Sequence, residues 1–368
     1  MTMLERSGWR DLAACALGLS LAACGVEVTT LGAVTSSAED EDTGAAPDAR
    51  RTDSSVDAAP DAAPDAFADT LPGRWTAVTT PADVDHLRGV WLSSPDEPWL
   101  LGIQHVPVGS FDAGPTDSTV SGGETGAPLH GEVVQRSGGG WRELELPVVA
   151  EALWGANPRD AWAVGTNMLE HTDGTTHTPY AIPAGWTEIS AVWGADAGHV
   201  WAAGSTMLRW DGTSWSQQPL VGGYDRVRAL WGSSDRDVWA VSEASLIRHW
   251  DGASWSAAPS GLGFSLRGVW GSGANDVWIV GDQGTLLHGN GATWRTVASG
   301  TTLDLQGCWG SGADDVWFVG RAGTILHWDG VALAPFSTPT THDLSAVSGS
   351  SARSAWAAGD DTLLHFEK

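Results

Sequence analysis

Four histidines, His249, His288, His327 and His365, recur at one position of a repeating unit. Imidazoles in register could ring a metal, or they could hold a fold together by hydrogen bonds. They fall one per unit, and Gln135, Glu170 and Arg209 occupy the same position elsewhere, so the structural role is expected, with no metal and no cofactor. Three arginines, Arg88, Arg228 and Arg267, share a second position, which Glu151, Ser190, Gln306 and Ser345 hold in other units. Guanidinium forks grip carboxylates and other anions by paired contacts. Trp186, Tyr224 and Phe264 stand in segments that enter successive units and offer flat, amphipathic faces. These three aromatics and the three arginines are the expected ligand-binding set. There is no Ser-His-Asp spacing, metal-ligand cluster or phosphate-cradling glycine loop. No catalytic residue is expected, and the chain is expected not to be an enzyme.

The elements that must position these residues are copied along the chain. One unit reads Leu266-Arg267-Gly268-Val269-Trp270-Gly271, then Asn275-Asp276-Val277-Trp278-Ile279-Val280-Gly281, then Gly284-Thr285-Leu286-Leu287-His288, then Thr293-Trp294. The first Trp recurs at Trp91, Trp154, Trp193, Trp231, Trp270 and Trp309, with Ser348 in the seventh place. A second Trp follows 8 residues later each time, from Trp99 to Trp356. Alternating apolar residues with Asp-Gly steps between them signal antiparallel hairpins. Each unit therefore reads as four short strands, a to d, in about 40 residues, the size of a propeller blade. Of the 23 Trp, 21 fall on repeat positions and are expected to pack blade on blade. Trp186 alone after the leader breaks the pattern. The first unit carries an insertion of about 24 residues in its b–c loop, between His105 and His130.

The ends decide between an open stack and a ring. The seventh unit stops after strand c, Thr362-Leu363-Leu364-His365-Phe366, and lacks strand d. An orphan strand d, Arg74-Trp75-Thr76-Ala77-Val78, precedes the first unit. A closed ring uses that strand to complete the last blade and removes an exposed edge. The predicted fold is all-β, a seven-bladed β-propeller closed by an N-terminal strand, over residues 73–368.

The remaining residues read as an address and a tether. Leu12 to Ala23 is an apolar run of 12 residues, too short to span a bilayer and suited to a signal peptide over 1–23. It ends in Leu21-Ala22-Ala23-Cys24, which resembles the lipobox of bacterial lipoproteins. That resemblance implies acylation of Cys24 and a membrane partner through the lipid. The chain is then expected to be exported and anchored to the cell envelope, at the outer membrane or cell surface. Residues 24–72 hold 11 acids against Arg50 and Arg51, in Ala-Pro-Asp repeats. Such a segment cannot bury enough apolar surface to fold and is expected to be a disordered tether, reaching on the order of 40 Å. The net charge of −26 excludes nucleic acid, which needs a basic footprint. A monomer is expected.

The unit Trp-Gly-Ser-x-x-x-Asp-Val-Trp-Ala-Val-Gly resembles repeats of secreted bacterial β-propellers related to the Asp-box (neuraminidase-type) and photosystem-assembly-factor-like families. The Asp-box proper reads Ser-x-Asp-x-Gly-x-Thr-Trp, whereas Asp211 and Gly212 are adjacent in Trp210-Asp211-Gly212-Thr213-Ser214-Trp215. The resemblance covers nearly all of residues 73–368 and implies the fold. Function then lies in departures from the repeat. The insertion, Trp186, Tyr224 and Phe264 all belong to b–c or d–a loops, hence to one end of the ring. The tether enters at the opposite end. A non-catalytic binding module for an extracytoplasmic glycan or protein is the expected function. The alternatives are a neuraminidase-type hydrolase, which would need an Arg-Tyr-Glu constellation from only Tyr180 and Tyr224, or a purely structural surface protein.

Overall fold

The computed structural model describes residues 73–80, 84–94, 97–105, 129–146, 149–184, 187–223 and 225–368. The leader, Cys24, the tether, residues 106–128 of the insertion, Trp186 and Tyr224 lie outside the described residues.

Seven four-stranded antiparallel sheets form the blades. Blade 4 shows the plan: strand a Val227–Ser234, b Asp237–Ser242, c Leu246–Trp250 and d Trp255–Pro259, each paired with the next. The a strands of the other blades are Asp85–Ser94, Ala150–Asn157, Ile189–Asp196, Leu266–Gly273, Leu305–Gly312 and Leu344–Ser351. Each packs against the a strand of the next blade, and that of blade 7 against that of blade 1, so the ring closes. Blade 7 takes its fourth strand, Arg74–Ala77, from the other end of the repeat array, in register Arg74↔Glu367 to Ala77↔Leu364. The predicted closure is thus present. Blade 1 pairs its b and c strands out to His105↔Leu129, which places the insertion in its b–c loop.

The Trp-Gly step has a steric cause. Each first Trp lays its ring on the Gly that follows the first Trp of the next blade. A Cβ at Gly194 would stand 2.4 Å from Trp154, at Gly232 2.6 Å from Trp193, and at Gly349 2.3 Å from Trp309. Only glycine leaves room for the indole. The second Trp of strand b is the core of the blade interface: Trp99, Trp162, Trp201, Trp278, Trp317 and Trp356 are almost wholly buried. In four interfaces it meets the strand-d Trp of the following blade edge-on, as in Trp201–Trp255 (5.0 Å, 88°) and Trp162–Trp215 (4.9 Å, 89°). Edge-to-face rings of this kind add about 0.5–1.5 kcal/mol beyond burial.

The repeated histidines bond inside their own blades. Nε2 of His249 lies 2.6 Å from Asp237, and that of His327 lies 2.8 Å from Asp315. Their rings lie over the strand-b Trp, at 4.0 Å for Trp239–His249 and 3.9 Å for Trp278–His288. Among the described residues no group of His, Cys, Asp or Glu converges as metal ligands. One register differs from the sequence reading. In blade 2 the residue opposite Trp162 is His171, not Glu170, and His171 bonds Asp160 at 2.6 Å. His171 stands 9 positions after Trp162, where Arg209 stands 8 after Trp201 and His249 10 after Trp239, so b–c turns of different length place strand c differently. Cys308 lies in strand a of blade 6, its Sγ 3.9 Å from the Trp278 carbonyl, and burial pushes its thiol pKa up.

Four of the c–d turns are closed by carboxylates, Asp173, Asp211, Asp251 and Asp329. Asp211 accepts the Thr213 hydroxyl at 2.7 Å and the amides of Ser214 and Thr213 at 2.8 and 2.9 Å. Those bonds favour the ionised form and hold Asp211 at about 2. Asp173, Asp251 and Asp329 are also lowered by their turns. A carboxyl depressed in the fold stabilises it fully above the unfolded pKa near ~3.9, and loses that contribution as pH falls. Melting temperature should therefore drop between about pH 4 and pH 2. Asp211→Asn keeps the turn acceptor without the titration, and its melting temperature should fall less over that window in circular dichroism. Identical falls would remove the turn from the acid transition.

Candidate functional site

The polar position of strand a sits in a β-bulge. The pairing of strands a and b slips between Ile189 and Ala191, Val227 and Ala229, and Leu266 and Gly268, leaving Ser190, Arg228 and Arg267 unpaired. Glu151, Gln306 and Ser345 are skipped in the same way, and Arg88 falls within the wider slip of blade 1. Bulges re-aim side chains and cluster at functional rims. Here they turn one polar residue per blade toward the end that carries the b–c turns. The first residue of that turn is its partner: Arg228 Nε lies 3.4 Å from Glu243, Arg267 pairs with Asp282, and Thr166 reaches Glu151 at 3.5 Å.

A fourth cation organises the cluster. Arg226, just before strand a of blade 4, pairs with Glu151 of blade 2 and places Nη1 2.9 Å from Glu188, which enters blade 3. Its Nε donates to Ser190 Oγ at 3.3 Å, and Ser190 Oγ donates to the Val227 carbonyl at 2.6 Å. One guanidinium thus ties three blades together. Burial and the nearby Arg226 weaken the hold of Arg228 on its proton, opposed by Glu243. Arg226, Arg228, Arg267 and Glu151 form one electrostatic group.

The rim beyond is built of tight turns. Asn167, Ser245, Gln283, Ala322 and Asp361 all adopt left-handed backbone, with φ between 47° and 64°. Such conformations are uncommon for residues with a side chain and must be held by their surroundings. Asp304 Oδ1 accepts the Gln283 amide at 2.9 Å, and Asp343 Oδ1 accepts the Ala322 amide at 2.8 Å. Arg321 Nε lies 3.0 Å from Asp304.

The sequence-predicted residues are distributed as follows. Arg228 and Arg267 lie together, already paired with carboxylates rather than bare. Arg88 is exposed and makes no ion pair with the described residues. Phe264 is one of the few exposed large apolar side chains, at 38%, and Leu303 joins it at 41% in the next d–a loop. Both lie at the same end as the arginine cluster. Arg226 and Glu188 escaped the sequence reading because they precede strand a, where the repeat pattern carries no signal. Their one legible hint was opposite charge at equivalent loop positions of adjacent units.

Matched cations and carboxylates beside exposed apolar side chains can exchange hydrogen bonds with a polar chain. They do not amount to an anion trap.

No protein-family model matches the chain, and no curated protein matches it. Solved structures share its fold. A YCF48 structure, bound to D1 peptide, is 14% identical with a TM-score of 0.59, over 81% of this chain and 97% of that one. A catalytically inactive virginiamycin B lyase from Staphylococcus aureus, with quinupristin, is 12% identical with a TM-score of 0.65, over 80% and 99%. The WD40 β-propeller domain of Doa1 is 11% identical with a TM-score of 0.62, over 79% and 95%. At these identities the likeness establishes the β-propeller and nothing finer.

Proposed function

We propose that this chain is a non-catalytic binding module, exported and lipid-anchored through Cys24, that presents its b–c/d–a end to an extracytoplasmic protein segment or glycan. The supporting observation is the coincidence at that end of the Arg226–Glu151–Glu188 cluster, the bulged Arg228 and Arg267, and exposed Phe264 and Leu303. Mixed charge with exposed aromatic and aliphatic side chains is the make-up of a recognition surface. The ring begins at Gly73, beside Phe366 near the end of strand c in blade 7. That is the other end of the blades from the proposed face. Among solved propellers of this shape, YCF48 is seen with a peptide.

The test is retention of the purified chain on envelope and polysaccharide fractions. Trp186→Ala, Tyr224→Ala and Arg267→Ala combined should lower retention about tenfold or more, the size of a lost hot spot. Melting temperature should stay near that of the parent. Retention unchanged by the triple substitution would sink the reading. Cys24→Ser should abolish incorporation of labelled fatty acid in cells; labelling that persists would remove the anchor.

A further inference from the structure

Blade 5 departs from blades 3, 4 and 6 at three neighbouring positions, all at the c–d end, away from the proposed binding face. The last residue of strand c is Trp210, Trp250 and Trp328 in blades 3, 4 and 6. There the indole fills the outer part of the blade, and Nε1 donates to an a–b turn carbonyl, at 3.2 Å from Trp250 to Asp235 and 3.1 Å from Trp328 to Ala313. Blade 5 has Gly289 instead. The Trp294 ring lies over that glycine, where a Cβ would stand 2.5 Å from it. Beside it is a cleft of about 240 Å³, lined by Asn275, Asp276, His288, Asn290, Trp294 and Arg295 among others. That volume is below the ~300 Å³ floor for drug-sized ligands and suits a single ring.

The second departure is Asn290, where the equivalent turn residues are Asp173, Asp211, Asp251 and Asp329. Asn290 keeps the turn closed, its Oδ1 accepting the amides of Thr293 and Ala292 at 2.9 and 3.1 Å. It trades a carboxylate for an NH2 donor. The third is Arg295, where blades 3 and 4 have Ser216 and Ser256 and blade 6 has Ala334. Arg295 Nη2 lies 2.7 Å from His288 Nδ1. A guanidinium only donates, so Nδ1 is the acceptor, and Nε2 carries the proton toward Asp276. Asp276 is committed on both oxygens, to His288 and to the Ser272 hydroxyl. Loss of the turn carboxylate and gain of a guanidinium leave this cleft less acidic than its counterparts in blades 3, 4 and 6, with Asp276 already held by His288 and Ser272.

We propose that the blade-5 cleft is a binding pocket for a carboxylate-bearing sugar, a hexuronate. The apolar C–H face of the pyranose lies against Trp294, which is half-buried beside Gly289. Arg295 takes the carboxylate in a charge-assisted contact, and the amides of Asn290 and Asn275 meet ring hydroxyls. Asp in place of Asn290 would repel the carboxylate, and Trp in place of Gly289 would displace Trp294, the wall the ring lies against.

Isothermal titration of the full chain with galacturonate, glucuronate, galactose and acetate tests this. At least one hexuronate should bind, with galactose and acetate each about tenfold weaker, because each lacks one of the two contacts. Arg295→Ala should weaken hexuronate binding about tenfold or more, while Arg142→Ala, the equivalent change in blade 1, should leave it unchanged. Gly289→Trp should abolish binding; if that chain melts early, Asn290→Asp, which keeps the turn acceptor, should weaken binding in its place. Acetate binding as well as the hexuronates would overturn the ring contact. Hexuronate binding indifferent to Arg295→Ala, or none with either acid, would overturn the site.

Discussion

Replacing Trp75 by Ala lowers the stability of the ring by about 3–5 kcal/mol, the cost of emptying a fully packed aromatic site. Trp75 is 4% exposed. It stands edge-on to Trp317 of blade 6 at 5.3 Å and 89°, and touches Phe366 of its own blade at 5.5 Å. It is carried by the N-terminal strand, and Thr76 in that strand bonds the His365 carbonyl 289 positions away. Its loss therefore loosens both the blade 6–7 interface and the grip of the closing strand. Trp141, the equivalent residue of blade 1, is only half-buried and donates to the Thr79 carbonyl at 3.3 Å. Trp141→Ala should cost clearly less in urea unfolding. Equal costs for the two would mean that the closing strand contributes no more than an ordinary fourth strand.

The second large effect is expected where the ring seam breaks the Trp-Gly rule on both sides at once. Six blades lay a Trp on the next blade's Gly, up to Trp309 on Gly349. Blade 7 has Ser348 where the Trp belongs, and blade 1 has Leu92 where the Gly belongs. Strand a of blade 7 packs against strand a of blade 1, so the two departures face each other. A leucine on one wall replaces an indole from the other. Ser348→Trp alone should cost about 1–3 kcal/mol by overpacking. Leu92→Gly alone should cost about 1–2 kcal/mol, as a half-buried large-to-small change. Combined, they recreate the junction found between the other blades, and the double variant should be more stable than the sum by about 1–3 kcal/mol. Strict additivity would show that the two positions do not compensate.

Most of the architecture was legible because it is repeated. Six first Trp with Ser348 in the seventh place, and seven second Trp 8 residues later, gave the blades, and the split seventh unit gave the closure. The pairing of Ser348 with Leu92 was not legible, since it needs the knowledge that each Trp reaches the glycine of the next unit. Glu170 was placed one residue out of register because it stands 8 after Trp162, the spacing of Arg209 from Trp201, whereas the b–c turn of blade 2 is one residue longer. The bulges at Arg228 and Arg267 left no mark in the sequence beyond a variable polar position. For the candidate site, the sequence supplied the end of the ring and two of its arginines. It could not supply their partners, since Glu243 and Asp282 lie across a strand pair and Arg226 reaches over a whole blade. The blade-5 cleft was hidden for the opposite reason: Gly289 reads as one more glycine until its neighbours show what it replaces.

The shared seventh blade also bears on how the chain is made. Arg74–Ala77 is among the first parts of the ring to emerge in synthesis, and its partner, Thr362–Glu367, among the last. Contacts across such a span form late and slowly. Until then blade 7 has an open edge, and the first strand has no sheet to join. A polypeptide interrupted anywhere before Thr362 cannot close. The ring therefore acts as a length check on its own synthesis, in which only a finished chain hides its edges from aggregation and proteolysis.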